Sequence, residues 1–291
     1  MTGPLMRFTR TVTSSRRLTA AAVGLPLICA SLYIAHAQSP ASILSTETAA
    51  QAAAPVSTGP LEQLEALARA DPIAFLTYAL DHYNRHIRDY QCVLFKQERI
   101  NGKLLHAQRL EIQFLDEPFA LLFNYLENGG LAQKILYNSV GTDGKPTTTF
   151  RILPAGVLRH AGWQSRDIHG PEALANSRKT LDQFGFENAL LMLRDVATRA
   201  TETGRLRKLA YLGQREVDGR TTLLFERVVH AEGADFPDSI CLYHIDLATL
   251  LPTGVTSLDK DGELLGHYLF TQLRVNNGLK PDFFTVASQG N

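Results

Sequence analysis

The sequence lacks the short motifs that mark the common kinds of active site. It contains no Gly-x-Ser-x-Gly elbow, no glycine-rich phosphate loop, no His-Glu-x-x-His and no Cys-x-x-Cys. These absences argue against a serine hydrolase of the α/β type, a P-loop nucleotidase, a zinc protease and a thioredoxin-like redox protein. We therefore expect a protein that is not an enzyme and that needs no cofactor.

The sequence also lacks an excess of charge of either sign. It has 29 basic and 29 acidic residues, and charged residues make up 20% of the chain. Binding to nucleic acid depends on a basic patch that neutralises phosphates, and a juxtamembrane lipid contact depends on a polybasic strip. Neither is present, so we expect no nucleic-acid partner.

Metal-binding patterns are scarce. His82 and His86 are four residues apart in a predicted helix, a spacing that places two imidazoles on one face, as zinc ligands require. Asp81 and Asp89 point elsewhere by helical spacing, and no third ligand is evident. We predict no metal site, and the two histidines are interpreted as part of a solvated or packed helix face.

Cysteine is rare, with three residues in the whole chain. Cys29 lies in the apolar N-terminal run, which leaves Cys92 and Cys241. An even number of cysteines in an oxidising compartment permits one disulfide. Both residues lie in strand-like sequence, where two buried thiols would fit equally well, so a Cys92–Cys241 bridge and a pair of free thiols remain open.

The N-terminus has the pattern of a secretory signal peptide. Residues 1–37 carry four arginines and no acidic residue, then an apolar run over 18–34, and end in Ala35-His36-Ala37. The run is shorter than the roughly 20 residues that a spanning helix needs. We expect cleavage before Gln38 and a periplasmic protein with 25 basic and 29 acidic residues, a formal charge of −4. Residues 38–60, rich in Ala, Ser, Thr and Pro, are predicted to be a disordered linker.

Residues 61–291 are predicted to form a single domain. Asp71-Pro72 is a helix start, with the aspartate as N-cap, and this helix should run to about Arg88. From Tyr90 the hydrophobic period changes to two, and hairpin signals such as Asn101-Gly102 and Asp218-Gly219 separate ten strand-like runs. The alternation is lost over 154–205, which we interpret as a helical or irregular insertion. We predict an α+β fold with one large, curved antiparallel sheet, an open half-barrel of about ten to eleven strands, whose concave face is covered by helices.

One predicted strand, residues 119–126, is apolar on both faces. Phe119, Leu121, Phe123 and Tyr125 share one face, while Ala120, Leu122 and Leu126 share the other. Such a strand must be covered twice, and on the concave side the cover is either a helix or a hydrophobic ligand. The residues that we predict to line an apolar cavity there are Leu110, Ile112, Phe114, Leu121, Phe123, Leu223, Phe225 and Leu242.

Several segments resemble a known family. Asp89-Tyr90-Gln91-Cys92 and the run from Lys96 to Leu104 resemble an uncharacterised family of secreted bacterial proteins, a domain of unknown function related to the LolA/LolB-like periplasmic lipoprotein carriers. Tyr243-His244-Ile245-Asp246, Leu251-Pro252 and Asp282-Phe283-Phe284 follow the order seen in those carriers. The resemblance covers most of residues 70–285 and implies a half-barrel with a helical lid that holds acyl chains in an apolar cavity.

The sequence departs from the carriers in two respects. It has the long segment 154–205, and it offers only Arg99 or Arg166 as counterparts of the arginine that helps to gate the carriers' cavity. The resemblance implies a non-catalytic periplasmic protein that binds a lipid or the acyl chain of an acylated protein. The alternative is an envelope-stress sensor or scaffold that binds an envelope protein partner through the same fold.

Overall fold

The computed structural model describes residues 59–171, 174–175, 177–230 and 236–290, and these belong to one compact unit. The predicted signal peptide, residues 1–37, and most of the predicted linker, residues 38–58, lie outside the described residues. No helix in the described ranges is long and apolar enough to cross a membrane.

Two helices precede the sheet. Helix α1 spans Pro60–Ala70 and α2 spans Pro72–His86. Asp71 lies between them and is the N-cap of α2. Its carboxylate accepts hydrogen bonds from the backbone N–H groups of Ile73 at 3.1 Å and Ala74 at 2.9 Å. A side-chain cap of this kind satisfies amides that the first helical turn leaves unpaired. The predicted start of the second helix is confirmed.

The described residues form twelve β-strands in one antiparallel sheet. The strands are β1 Asp89–Ile100, β2 Lys103–Leu104, β3 Gln108–Leu115, β4 Ala120–Glu127, β5 Ala132–Asn138, β6 Thr149–Pro154, β7 Gln164–Asp167, β8 Leu206–Val217, β9 Arg220–Val229, β10 Ile240–Asp246, β11 Pro252–Leu258 and β12 Leu264–Val275. Their order is β7-β6-β5-β4-β3-β1-β12-β11-β10-β9-β8, and β2 pairs only with β1. The sheet is therefore open, with β7 and β8 at its edges, which confirms the predicted fold class.

The strand count exceeds the ten predicted runs for two local reasons. The predicted strand 103–114 is interrupted after Leu104 and resumes at Gln108, and β7 falls inside the segment predicted to be an insertion. That segment joins the two edges of the sheet, because β7 ends at one edge and β8 begins at the other. The chain between them carries helix α3, Phe186–Glu202, across one face.

Helices α2 and α3 cover that face, which we call the inner face, as predicted for the concave side. Phe75 of α2 stacks on Phe225 of β9 at a centroid distance of 5.2 Å, and Phe186 of α3 packs on Tyr90 of β1 at 4.6 Å. Leu190 and Leu193 of α3 are fully buried in the same core. Burial of such side chains contributes about 1.5–3 kcal/mol each.

Strand β4 is covered on both faces, as its sequence requires. Leu121 and Phe123 belong to the inner core, whereas Ala120 and Leu122 pack with Phe284 on the outer face. Phe284 ends a 3₁₀ turn, Pro281–Phe284, just before the short helix α4, Val286–Gln289. The C-terminal segment thus supplies the second cover.

Cys92 and Cys241 are buried free thiols, so the disulfide alternative is wrong. Strands β12 and β11 lie between the strands of the two cysteines. The residue of β1 that is level with Cys241 across these strands is Glu98, which is six positions from Cys92. With strands about 4.8 Å apart and a rise of about 3.3 Å per residue, the two Cα atoms lie far beyond the roughly 7 Å that a disulfide can bridge. Burial raises the pKa of both thiols.

Candidate ligand-binding site

A cavity of about 170 Å³ lies between the inner face and residues 177–185, which we call the covering segment. The sheet side of the cavity comes from β1, β3, β4, β11 and β12, and one wall comes from α3. Most of the lining is apolar, and its apolar side chains include Leu94, Leu110, Phe123, Leu181, Phe184, Met192, Val255 and Phe270.

Phe184 is the main aromatic contact between the covering segment and the sheet. Its ring packs edge-on against Phe123 at a centroid distance of 4.9 Å and lies 6.5 Å from Phe270. The Asn188 side chain of α3 donates hydrogen bonds to the Phe184 carbonyl at 2.9 Å and the Asp182 carbonyl at 3.1 Å. The segment is thus attached to the start of α3 by one amide group and to the sheet by ring contacts.

Gly185 allows the chain to turn from the covering segment into α3. Its φ is +116°, a backbone conformation that glycine adopts readily and other residues rarely do. A Cβ atom there would also come within 3.2 Å of the Phe114 ring. Both constraints require glycine where the chain crosses closely over β3.

Two of the eight predicted cavity residues, Leu110 and Phe123, line the cavity. Five others are buried on the same face but belong to the packed core outside the cavity lining, namely Ile112, Phe114, Leu121, Leu223 and Phe225. The placement of Leu242 is wrong. It lies opposite Glu226 and Thr256 on the outer face, because its neighbour Tyr243 points into the core and strand side chains alternate.

A row of inner-face residues, two of which, Glu98 and Ser257, line the cavity, borders its apolar part. Glu98, Gly266, Ser257, Cys241 and Arg227 lie side by side on five neighbouring strands. We call this row, together with the charged and hydroxyl side chains that contact it, the polar end of the cavity. This arrangement was not predicted from the sequence.

Glu98 is held by two partners at the polar end. Its side chain is 3% exposed, lies 3.0 Å from Lys96 Nζ and accepts a hydrogen bond of 2.5 Å from the Tyr268 hydroxyl. Burial and the Glu98 charge raise the pKa of Tyr268, so this phenol stays a donor. Glu98 therefore forms an ion pair with Lys96, and both residues line the cavity.

Asp238 is held in a second buried network. Its Oδ1 accepts a hydrogen bond of 2.5 Å from Arg227 Nη2, and its Oδ2 accepts one of 2.9 Å from the Ser257 hydroxyl. The side chains of Arg227 and Asp238 are 1% and 2% exposed. Charges removed from water to this degree are stable only when they are paired.

Arg178 and Lys179 enter the polar end from the covering segment. Arg178 donates to the Pro237 carbonyl at 2.7 Å and lies over Gly266, where a Cβ atom would come within 3.1 Å of its Nη1. Burial, and then the neighbouring Arg178 charge, lower the pKa of Lys179. Because Gly266 has no side chain, the space above it holds the Arg178 guanidinium.

The other residues singled out in the sequence lie elsewhere. Arg99 pairs with Glu263 at 2.9 Å and Arg166 contacts Gln164, and neither lines the cavity, so the sequence-based choice of a gating arginine is wrong. The rings of His82 and His86 lie 4.7 Å apart. Within the described part of the chain, no group of three or more His, Cys, Asp or Glu side chains could hold a metal ion.

Comparison with solved structures finds matches of low sequence identity and low TM-score. MucB of Pseudomonas aeruginosa, in a complex with MucA, gives a TM-score of 0.43 with 18% identity, over 74% of this chain and 60% of that one. Mycobacterium tuberculosis lipoprotein LppX gives 0.37 with 9% identity, over 72% and 99%. A LolA superfamily protein of Nitrosomonas europaea gives 0.28 with 8% identity, over 72% and 97%. This chain therefore spans about three fifths of MucB.

Comparison with curated proteins finds no match. A family profile covers residues 87–290, from the end of α2 to the end of α4. This match confirms the predicted resemblance to an uncharacterised domain-of-unknown-function family. The chain belongs to the family described as "Protein of unknown function (DUF1571)".

Proposed function

We propose that this protein binds an acyl chain, without catalysis, in the cavity under the covering segment. The observation that supports this most directly is the cavity itself, whose walls are formed mainly by aliphatic and aromatic side chains. An acyl chain has no polar group to satisfy, so such walls suit it as they suit other apolar ligands.

The size of the cavity sets the expected ligand. A volume of 170 Å³ has room for roughly six groups of the size of a water or a methylene, at about 30 Å³ each. Six buried methylenes would contribute about 5 kcal/mol, from which the ordering costs of association must be subtracted. A short chain therefore fits the existing cavity, and a longer chain, such as one of twelve carbons, would have to displace the covering segment.

The covering segment is suited to such displacement. It is attached by the ring contacts of Phe184, by packing of Leu181 on the core, by the Asn188 amide and by the Arg178 bond to Pro237. Asp182 also lies 3.6 Å from His169, and the segment is not a strand of the sheet. Segments held by few contacts open at lower cost than the core strands beneath them. We propose that this segment is the lid through which the ligand enters.

The location and partners of the protein form part of the same proposal. Export, with cleavage before Gln38, would place the domain in the periplasm, where its ligand would be a lipid or the acyl chain of an acylated protein. Residues 61–291 would then act as a single domain behind a disordered linker. Binding of an envelope protein through the same fold, as the MucA/MucB complex illustrates for MucB, is the competing outcome of the tests below.

Filling the cavity should abolish binding. Ala189 of α3 lines the cavity, and Ala189→Phe would place a ring in the space that the acyl chain needs. We expect at least a tenfold weaker affinity for a fluorescent fatty-acid probe, with a thermal midpoint close to that of the wild type because the ring enters existing space.

The matched control is Ala66→Phe, since Ala66 is an exposed helical alanine of α1 that does not line the cavity. This variant should bind the probe like the wild type. Equal probe affinity in all three proteins, or no saturable binding by the wild type, would contradict the proposal.

A further inference from the structure

We infer that the ligand carries an anionic head group, which the polar end of the cavity binds while the acyl chain occupies the apolar part. This inference rests on the proposed function and specifies the chemical class of the ligand. The supporting observation is a surplus of half-buried positive charge at one end of an apolar cavity.

The polar end contains more cations than carboxylates. Glu98 is paired with Lys96, and Asp238 is paired with Arg227. Arg178 and Lys179 also line the cavity. Among the described residues, neither has a carboxylate within ion-pair distance, and Arg178 contacts only neutral groups, the Pro237 carbonyl and the Tyr268 hydroxyl.

An anionic ligand would relieve the cost of this arrangement. Burial disfavours the charged form of Lys179, and the adjacent Arg178 adds repulsion. Together they outweigh the attraction of the Glu98 and Asp238 carboxylates, so the pKa of Lys179 is lowered. In a site of low dielectric, a charge of opposite sign interacts far more strongly than in water. A carboxylate or phosphate group placed between the two side chains would supply that charge and accept hydrogen bonds from both.

The geometry fixes the orientation of the ligand. The two cations precede Phe184 on the covering segment, and Phe184 packs against Phe123 on the apolar side. The head group would therefore lie over Gly266 and Ser257, and the chain would run towards Leu110 and Phe123. The covering segment would contact both the head group and the chain, so both parts of the ligand would stabilise this segment over the cavity.

The experiment measures displacement of a fluorescent fatty-acid probe by dodecanoate and by dodecanol, which have the same chain length and differ in head-group charge. At neutral pH, we expect the wild type to bind dodecanoate about tenfold more tightly than the alcohol, as for a hydrogen bond to a charged group. Lys179→Gln should remove most of this preference without changing the affinity for dodecanol. Lys179→Arg should retain it, and Lys145→Gln, at an exposed lysine away from the cavity, should behave like the wild type.

Three results would overturn the inference in distinguishable ways. Equal binding of dodecanoate and dodecanol would refute the anionic head group and leave the acyl-chain proposal intact. Displacement by acetate as effectively as by dodecanoate would indicate a site for free anions. Failure of both twelve-carbon compounds to displace a bound probe, or failure of the probe to bind, would refute the proposed function itself.

Discussion

Replacing Asp238 by alanine is expected to lower the free energy of unfolding by about 3–5 kcal/mol, the usual cost of removing one partner of a buried ion pair. The Arg227 side chain is 1% exposed and has Asp238 as its hydrogen-bond partner, while its Nε and Nη1 atoms have none in the described structure. The variant would therefore leave a buried, uncompensated guanidinium, which would be measured as a shift of the denaturation midpoint in urea.

Two controls separate burial of the charge from loss of the pair. Asp261 pairs with Lys260 at the surface, where the two side chains are 66% and 73% exposed, so Asp261→Ala should cost less than about 1 kcal/mol. The double variant Arg227→Met, Asp238→Ala should recover much of the loss, because it removes both charges. A small effect of Asp238→Ala alone would show that Arg227 reaches water, which would contradict its burial.

Replacing Phe225 by alanine should cost about 3–5 kcal/mol of unfolding free energy, as for a fully packed core phenylalanine. Phe225 is 0% exposed and stacks between Phe75, at 5.2 Å, and Tyr243, at 5.1 Å. It belongs to the core and does not line the cavity. The folded fraction of the variant should therefore bind the fatty-acid probe as the wild type does.

Phe123→Ala is the matched comparison, since Phe123 lies on the same face but lines the cavity. Its loss of stability should be smaller, at about 2 kcal/mol, because the ring already borders open space and loses fewer contacts. Probe affinity should fall by roughly tenfold, or about 1.4 kcal/mol. A loss of 3–5 kcal/mol with unchanged affinity would instead indicate that Phe123 is ordinary core.

The sheet could be predicted because its signals are local. Asn101-Gly102 and Asp218-Gly219 adopt positive φ at all four positions, as tight hairpins require. The alternation in β3 and β4 predicted that Leu110 and Phe123 share the inner face, where both line the cavity. Leu242 was misplaced because β10 has apolar residues on both faces, and an error of one position moves a side chain to the opposite face.

The covering segment could not be predicted, because its role arises from topology. The residues between β7 and β8 show no alternation and read as an insertion, yet the sheet order makes them the connection between its two edges. The outer face of β4 is likewise covered by a segment far away in the sequence, because Leu122 packs with Phe284. Neither contact leaves a local pattern in the sequence.

The polar end depends on long-range pairing. Glu98 contacts Tyr268 only because β1 pairs with β12 across most of the chain. Asp238 contacts Arg227 because β9 pairs with β10. Lys179 belongs to the covering segment, which lies between β7 and β8 in the chain. In the sequence, each of these charges resembles an ordinary surface residue, and only the assembled sheet reveals that they surround one cavity.

The most direct test of acyl-chain binding is mass spectrometry of organic extracts from the protein purified without detergent from its native periplasm. We expect the wild type to release an acyl-chain amphiphile in stoichiometric amount, and Ala189→Phe, prepared in parallel, to release little of it. If the wild type and the cavity-filled variant release equal background amounts, and a protein co-purifies with both instead, acyl-chain binding is refuted and the protein-partner alternative is supported.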